Sequence, residues 1–296
     1  MPVDFSSEPF QVSSTSEEQR RAWFSRFMTG PVAFRLRTKK LEVEPHAGPL
    51  SIKAVFRGSE TYLFDNRRVR VAPGEMLIVA PETIYASLID TPIDTDSFSV
   101  FIPANMLGGE GSGQIGRFLE RGLEAVNLAG QVRLHQSLTN LSLALEGDDE
   151  MAKDEGFACL LHELGVSCDA LGKSCETIDA RTSGRRAELL RRALRARALI
   201  DAGPCRALTL AELAAEACLS PYHLLRVFKA AFGQTPGQYL TAQRMKHAGN
   251  LLSIGKEQTV ADIANDCGYS NASAFGRAFR RHWGYSPTAA HPARAK

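Results

Sequence analysis

The 296-residue chain is 44% hydrophobic and 23% charged, which excludes a disordered polymer and leaves room for two domains with cores of their own. Its net charge of +2 hides an asymmetry: residues 1–184 hold 18 Lys and Arg against 26 Asp and Glu, net −8, whereas 185–296 hold 17 against 7, net +10. A basic C-terminal part of this size points to a polyanion, nucleic acid being the commonest.

Residues 1–30 contain Asp4, Glu8, Glu17 and Glu18 without an apolar stretch, which argues against a secretory signal. No run approaches the roughly 18 apolar residues of a membrane span, so a cytoplasmic location is expected. The cysteines Cys159, Cys168, Cys175, Cys205, Cys218 and Cys267 form no CxxC pair and read as reduced thiols.

Between 31 and 103 lie β-rich runs, "SIKAVFRG", "TYLF", "RRVRVAPGEMLIVAPETIYASLI" and "SFSVFIP", punctuated by Gly, Pro, Asp and Asn; they predict a small sheet or barrel over about 31–110. Gly111, Gly113 and Gly116 then satisfy a GxGxxG pattern. No strand precedes it directly and no βαβ unit surrounds it, so it reads as a glycine hinge and not as a nucleotide site. From about 114 to 171 the pattern is helical, broken by Gly130 and by the acidic run 147–150, with Leu134, Leu138, Leu141 and Leu145 on one face and Leu160, Leu161, Leu164 and Cys168 on another. These helices either form a dimer interface or pack on their own barrel. The polar stretch "GKSCETIDARTSGRR", 172–186, reads as the interdomain linker.

Segment 187–296 repeats itself. "TLAELAAEACLS" at 209–220 matches "TVADIANDCGYS" at 259–270 with an offset of 50; beyond the turn the offset is 51, and Leu224/Phe275, Arg226/Arg277, Phe228/Phe279, Lys229/Arg280, Gly233/Gly284 and Pro236/Pro287 coincide. Each copy predicts a helix capped by threonine with an acid at its third position, a turn, and a second helix ended by glycine. Leu224, Val227, Phe228 and Ala231 make the buried stripe of one second helix, and Phe275, Ala278, Phe279 and His282 or Trp283 that of the other. Tyr222, Arg226 and Lys229 then face outward in the first copy, and Ser273, Arg277 and Arg280 in the second. Such a helix lies in a major groove, where arginine pairs bidentately with guanine. A helix from Thr235-Pro236 to about Ser253 would hold the two modules about one DNA turn apart.

These two segments, "LAELAAEACLSPYHLLRVFKAAFGQTPGQYLTAQRMKHAGNLL" and "VADIANDCGYSNASAFGRAFRRHWGYSP", resemble the double helix-turn-helix domain of the AraC/XylS family of bacterial transcription regulators over about a third of the chain. The resemblance implies sequence-specific DNA binding, usually with activation and contact with RNA polymerase. It places base-reading positions on Tyr222, Leu225 and Arg226 and on Ala272, Ser273 and Arg277. Leu225 and Ala272 offer only apolar contact. The chain departs from the pattern in its closing segment "SPTAAHPARAK" and at Cys218, where glycine is frequent.

The "VAPGEMLIVAPETIY" stretch is similar to the cupin-like sensor domain common in the same family, a barrel that encloses one small ligand. Only His46 lies between 31 and 110, too few ligands for a transition-metal centre, so no metal or cofactor is expected and His46 reads as a loop residue. Arg35, Arg37 and Tyr62 are candidate ligand contacts, the alternative being solvated strand faces. The expected protein is thus α+β and multidomain: a cupin-like sensor and dimerisation domain over 1–171, a linker over 172–186 and an all-α DNA-binding domain over 187–296. It is expected to be a homodimeric, effector-responsive activator without catalytic residues. The competing readings are an architectural DNA-binding protein and a cupin-type enzyme with a localising helical module.

Overall fold

A computed structural model of the chain describes residues 30–65, 67–107, 113–119, 125–129, 131–254 and 258–290. It divides into two compact units, Met1–Arg191 and Arg192–Lys296.

The first unit is built on seven strands: β1 (Val32–His46), β2 (Leu50–Arg57), β3 (Glu60–Phe64), β4 (Arg67–Val71), β5 (Glu75–Val79), β6 (Tyr85–Ile102) and β7 (Ala125–Ala129). The 18-residue β6 organises them. Along one edge it pairs with β1 on either side of Thr91–Asp94; on its other edge its first half pairs with β3 and its second half with β2. The sheet continues from β3 to β4 and from β2 through β5 to β7, and it curls into a nearly closed barrel because β4 also approaches β2 and β5. The expected break at "DTPIDTD" falls inside β6: Thr91–Asp94 pair with none of β1, β2 and β3, and Thr91 Oγ1 lies 3.0 Å from Thr95 Oγ1, so the chain folds out of the ladder there before "SFSVFIP" resumes it as the second half of β6. Gly58 fits against the bend. Its φ is +79°, and a Cβ there would stand 2.8 Å from Thr95 Cα, so the β2–β3 turn requires glycine. At the β4–β5 turn Pro73-Gly74 plays the corresponding part, with Gly74 at φ +84° and Glu75 N–H donating to Ala72 O at 3.0 Å.

β2 is buried on both faces. Ser51, Lys53 and Val55 share a face with Val79 and Leu77 of β5 and with Phe101, Ser99 and Ser97 of β6, and this face lines the barrel interior. Ile52 and Ala54 share the opposite face with Ile78 and Met76 and with Val100 and Phe98.

Helices α1 (Gly113–Leu119), α2 (Val132–Ala144) and α3 (Glu150–Glu176) follow. Helix α2 covers the outer face, its His135 ring edge-on to Phe56 at 6.0 Å and its Ser142 reached by Arg35. Leu134, Leu138 and Leu141 of α2 and Leu160, Leu164 and Cys168 of α3 are buried, while Leu145 and Leu161 of the expected faces are half-buried. Two expectations are corrected. Gly113 and Gly116 lie within α1 instead of a hinge, while Gly111 is outside the described residues, as is the Gly130 break. Ala125–Ala129, expected to be helical, adds a strand beside β5, since "AVNLA" finds an open sheet edge that local propensity does not register.

Within 172–186, α3 runs on to Glu176 and α4 (Ser183–Ala202) begins at Ser183, leaving residues 177–182 between helices. The second unit continues with α5 (Leu210–Glu216), α6 (Pro221–Phe232), α7 (Pro236–Ile254), α8 (Val260–Asp266), α9 (Ala272–Trp283) and α10 (Pro287–Ala290).

Candidate DNA interface and barrel interior

Both copies of the repeat fold alike because their signals agree. Thr209 caps α5 and Thr259 caps α8 in reciprocal capping boxes with Glu212 and Asp262; these hydrogen bonds hold the two carboxylates below their ordinary values. Ser220 and Asn271 cap α6 and α9, and Gly233 and Gly284 end them at φ +70° and +83°. The turns themselves need a left-handed residue, Cys218 at φ +49° and Gly268 at φ +76°.

Leu224, Val227, Phe228 and Ala231 of α6 are buried, as are Phe275 and Phe279 of α9. The rest of the expected second stripe is not buried: Ala278 is half-buried and His282 and Trp283 are exposed, although the Trp283 indole N–H donates to Met245 O at 3.0 Å and its ring lies on Gly249. Burying one face leaves the other outward. Tyr222 is 71% exposed, and Arg226, Lys229, Ala272, Ser273, Arg277 and Arg280 are exposed, with Leu225 half-buried beside them. Under the offset of 51 Leu225 corresponds to Gly276, where an added Cβ would meet nothing within 4 Å. The two outward faces therefore present basic residues at the same positions, Arg226 and Lys229 against Arg277 and Arg280, but differ in bulk: Tyr222 and Leu225 on one, Ser273 and Gly276 on the other. Sequence reasoning passed over Gly276, although the repeat offset marks it.

Other cations of this unit brace the scaffold. Arg192 Nη1 donates to Cys218 O at 2.8 Å in the first turn, and Arg244 donates to Pro204 O at 2.8 Å and Arg206 O at 2.9 Å while lying over the Tyr269 ring. Arg197 Nε donates to the Tyr239 hydroxyl at 3.0 Å, which in turn donates to Asp201 at 2.7 Å. The charge of +10 is thus shared between a nucleic-acid face and internal bracing.

In the first unit Tyr62 lies inside the barrel, 1% exposed. Arg35 and Arg37 do not join it. Arg35 binds Asp96 through two nitrogens at 2.7 and 2.8 Å and Glu146 at 2.6 Å, and Arg37 binds Asp96 at 3.1 Å. Burial by itself would raise Asp96, but Arg35 and Arg37 hold its carboxyl below the ordinary value. His46 is the last residue of β1 and not part of a loop, its ring 4.6 Å from that of Tyr85.

Around Tyr62 the interior carries a polar cluster that sequence reasoning missed: Lys53, Glu60, Ser51, Ser87, Ser97 and Ser99, all buried. Burial pushes the Lys53 ammonium down to about 7 and the Glu60 carboxyl up, each partly compensated by the other's charge. Tyr62, Ser87 and Ser97 hydrogen-bond to Glu60. The available signal was "SIKAV" itself, a lysine alternating with two apolar residues in a strand with no polar side to offer it.

Among the described residues no group of three or more His, Cys, Asp or Glu is placed to hold a metal ion. Burial raises Cys168 and Cys267 to about 12.

Two capped helix pairs, each presenting an arginine-bearing second helix, define a double helix-turn-helix DNA-binding unit. Comparison with known proteins gives it a family. Residues 213–291 match the family described as "Helix-turn-helix domain". The chain is 42% identical over 84 residues to a putative AraC-like transcription regulator of Streptomyces lividans, covering 28% of this chain and 27% of that protein. It is 40% identical over 76 residues to the transcriptional activator RhaS of Klebsiella pneumoniae, covering 26% and 27%. Among solved structures, the C-terminal domain of AraT, a response regulator from Geobacillus stearothermophilus, is 32% identical over 35% of this chain and 85% of that one, with a TM-score of 0.32. The match thus spans about a quarter of the length of these curated relatives, and within that span the C-terminal unit is a DNA-binding domain of the AraC family.

Proposed function

We propose that the protein is an effector-responsive transcription activator that reads two successive major-groove segments with α6 and α9. The observation that carries this reading is the equivalence of Arg226 and Arg277, exposed at the same position on two recognition helices whose opposite faces are buried. Helix α7, 19 residues long, spans about 28 Å at 1.5 Å per residue, which suits half-sites one DNA turn apart. Tyr222, Leu225, Ala272 and Ser273 adjust base preference, Lys229 and Arg280 neutralise phosphates, and RNA polymerase is the partner of the activated complex.

The nearly closed barrel supplies the effector site, with Tyr62 in its lining. In this reading the protein works by binding and not by catalysis, in the cytoplasm and as a homodimer. What supports a dimer is α3, whose outer side exposes Met151 and Val166, 79% and 49% accessible.

Selection of bound duplexes from a random pool at near-physiological salt tests the reading, since phosphate contacts alone give no sequence preference. Two enriched blocks about one turn apart are expected. Arg226→Ala should lose about 1–3 kcal/mol of discrimination at one block, and Arg277→Ala the same at the other. Equal weakening toward all sequences would sink base readout by these arginines.

A further inference from the structure

The barrel interior is polar in an unbalanced way, and this imbalance carries a ligand class. Enclosing an ammonium and a carboxyl costs several kcal/mol per charge even when they compensate one another. Around the acid the cost is met locally, because Tyr62, Ser87 and Ser97 hydrogen-bond to Glu60. Around the base it is not. Lys53 Nζ sits 3.7 Å from the Phe101 ring centroid and 5.4 Å from that of Tyr85, and rings offer attraction but no lone pair in the plane of a donor. Beside it the Tyr85 hydroxyl and the Ser51 hydroxyl, belonging to residues 3% and 0% exposed, approach one another, and neither has a further hydrogen-bond partner. Ser51 and Lys53 are two residues apart on β2 and so share the inward face.

One cation set against aromatic rings and two hydroxyls with no partner beyond each other thus share this face. Burying donors so poorly satisfied is costly, a deficit that a ligand bringing acceptors removes. The donors match a group with one negative charge and two oxygens; a dianion would exceed the single ammonium. The surrounding residues of this face, Val55, Val71, Leu77 and Val79, are apolar. We propose that the barrel interior binds a small monocarboxylic acid with an apolar body, its carboxylate received by Lys53 Nζ, Tyr85 Oη and Ser51 Oγ. This deepens the reading of the barrel as effector site and rests on it.

Proton uptake accompanies binding. The ionisable groups facing Lys53 are His46 from β1, Glu60 and Tyr62 from β3 and Tyr85 from β6; Val69, Val71, Leu77 and Val79 from β4 and β5 are neutral. Burial holds Lys53 down to about 7, so above that pH its amine takes up one proton to receive an anion as the ammonium.

The test is isothermal titration of the full-length protein with phenylacetate and isovalerate, and with phenylacetamide and isovaleramide as their neutral counterparts, at pH 7.5 and 8.5. At least one acid is expected to bind at least tenfold more tightly than its amide, and about tenfold more weakly at pH 8.5 than at 7.5, as uptake of one proton dictates. Tyr85→Phe and Ser51→Ala should each weaken that acid five- to tenfold. The double variant Lys53→Met, Glu60→Gln, which leaves no lone buried charge, should abolish binding. Sequence-selective DNA binding by the same preparations shows that each is folded and separates the two readings. Acids that fail to bind protein that still selects its duplex, or amides that bind as well as acids, overturn the carboxylate assignment and leave the DNA-binding reading untouched. Loss of sequence selectivity in every preparation instead overturns the regulator reading.

Discussion

Cys218 and Gly268 occupy the same turn position in the two copies of the repeat, both in the left-handed region, yet only the second is glycine. The difference has a local cause. At Gly268 a Cβ would stand 2.9 Å from Cys205 O, so packing as well as φ forbids a side chain there, whereas the exposed Cys218 meets the dihedral requirement alone. A left-handed conformation costs a non-glycine residue about 1–2 kcal/mol, part of which glycine returns as unfolded-state entropy. Cys218→Gly should therefore stabilise the C-terminal unit by about 0.5–1 kcal/mol, read as a higher urea midpoint, and Gly268→Ala should destabilise it by more. The sequence flagged Cys218 as anomalous; only the neighbouring backbone explains why its twin is not free to vary. Arg35 and Arg37 teach the converse. Their types suggested ligand contacts, but the partners that engage them, Asp96 and Glu146, lie 59 to 111 positions away, beyond what strand periodicity can report.

At the scale of elements, the helices of the second unit were legible because start, stripe and stop all coincide. Thr209 or Thr259, an acid three residues on, a period of 3.6 and a terminal glycine specify each helix pair without reference to the rest of the chain. Losing one cap should be felt locally: Thr259→Ala is expected to cost about 1 kcal/mol at pH 7 by urea denaturation. Acid should act on the same contacts. Asp262 and Glu212 are held below their ordinary values of 3.8 and 4.5, so their contribution is complete above those values and is lost as pH falls through the lowered ones. The variant Glu212→Gln, Asp262→Asn should accordingly show a shallower fall of the urea midpoint between about pH 5 and pH 3; an unchanged slope would mean that other carboxylates dominate. Strand elements were less legible. β6 carries an excursion at the residues that signal a turn: Thr91–Asp94 pair with none of β1, β2 and β3, while pairing with β1 along one edge and with β3 and β2 along the other holds the two halves on either side of it. β7 exists because β5 offers it an edge.

For the whole molecule, the division of charge and of fold coincide: an acidic β-rich unit, the proposed sensor, precedes a basic helical DNA-binding unit. A fragment from Ser183 to Lys296, which keeps α4 whole, should select the same two blocks as the full chain, with affinity that no longer responds to a barrel ligand. Duplex selection and titration of the two proteins side by side check this, and a fragment that selects a different sequence would contradict it. By itself the sequence determined the double helix-turn-helix, its outward arginines and its family, because those features rest on short-range capping and periodicity repeated at a fixed offset. The barrel interior was decided by tertiary structure alone. Lys53, Glu60 and Tyr85 become one cluster only when β2, β3 and β6 are brought into register, and whether a buried polar group finds a partner depends on contacts between strands that no local pattern encodes.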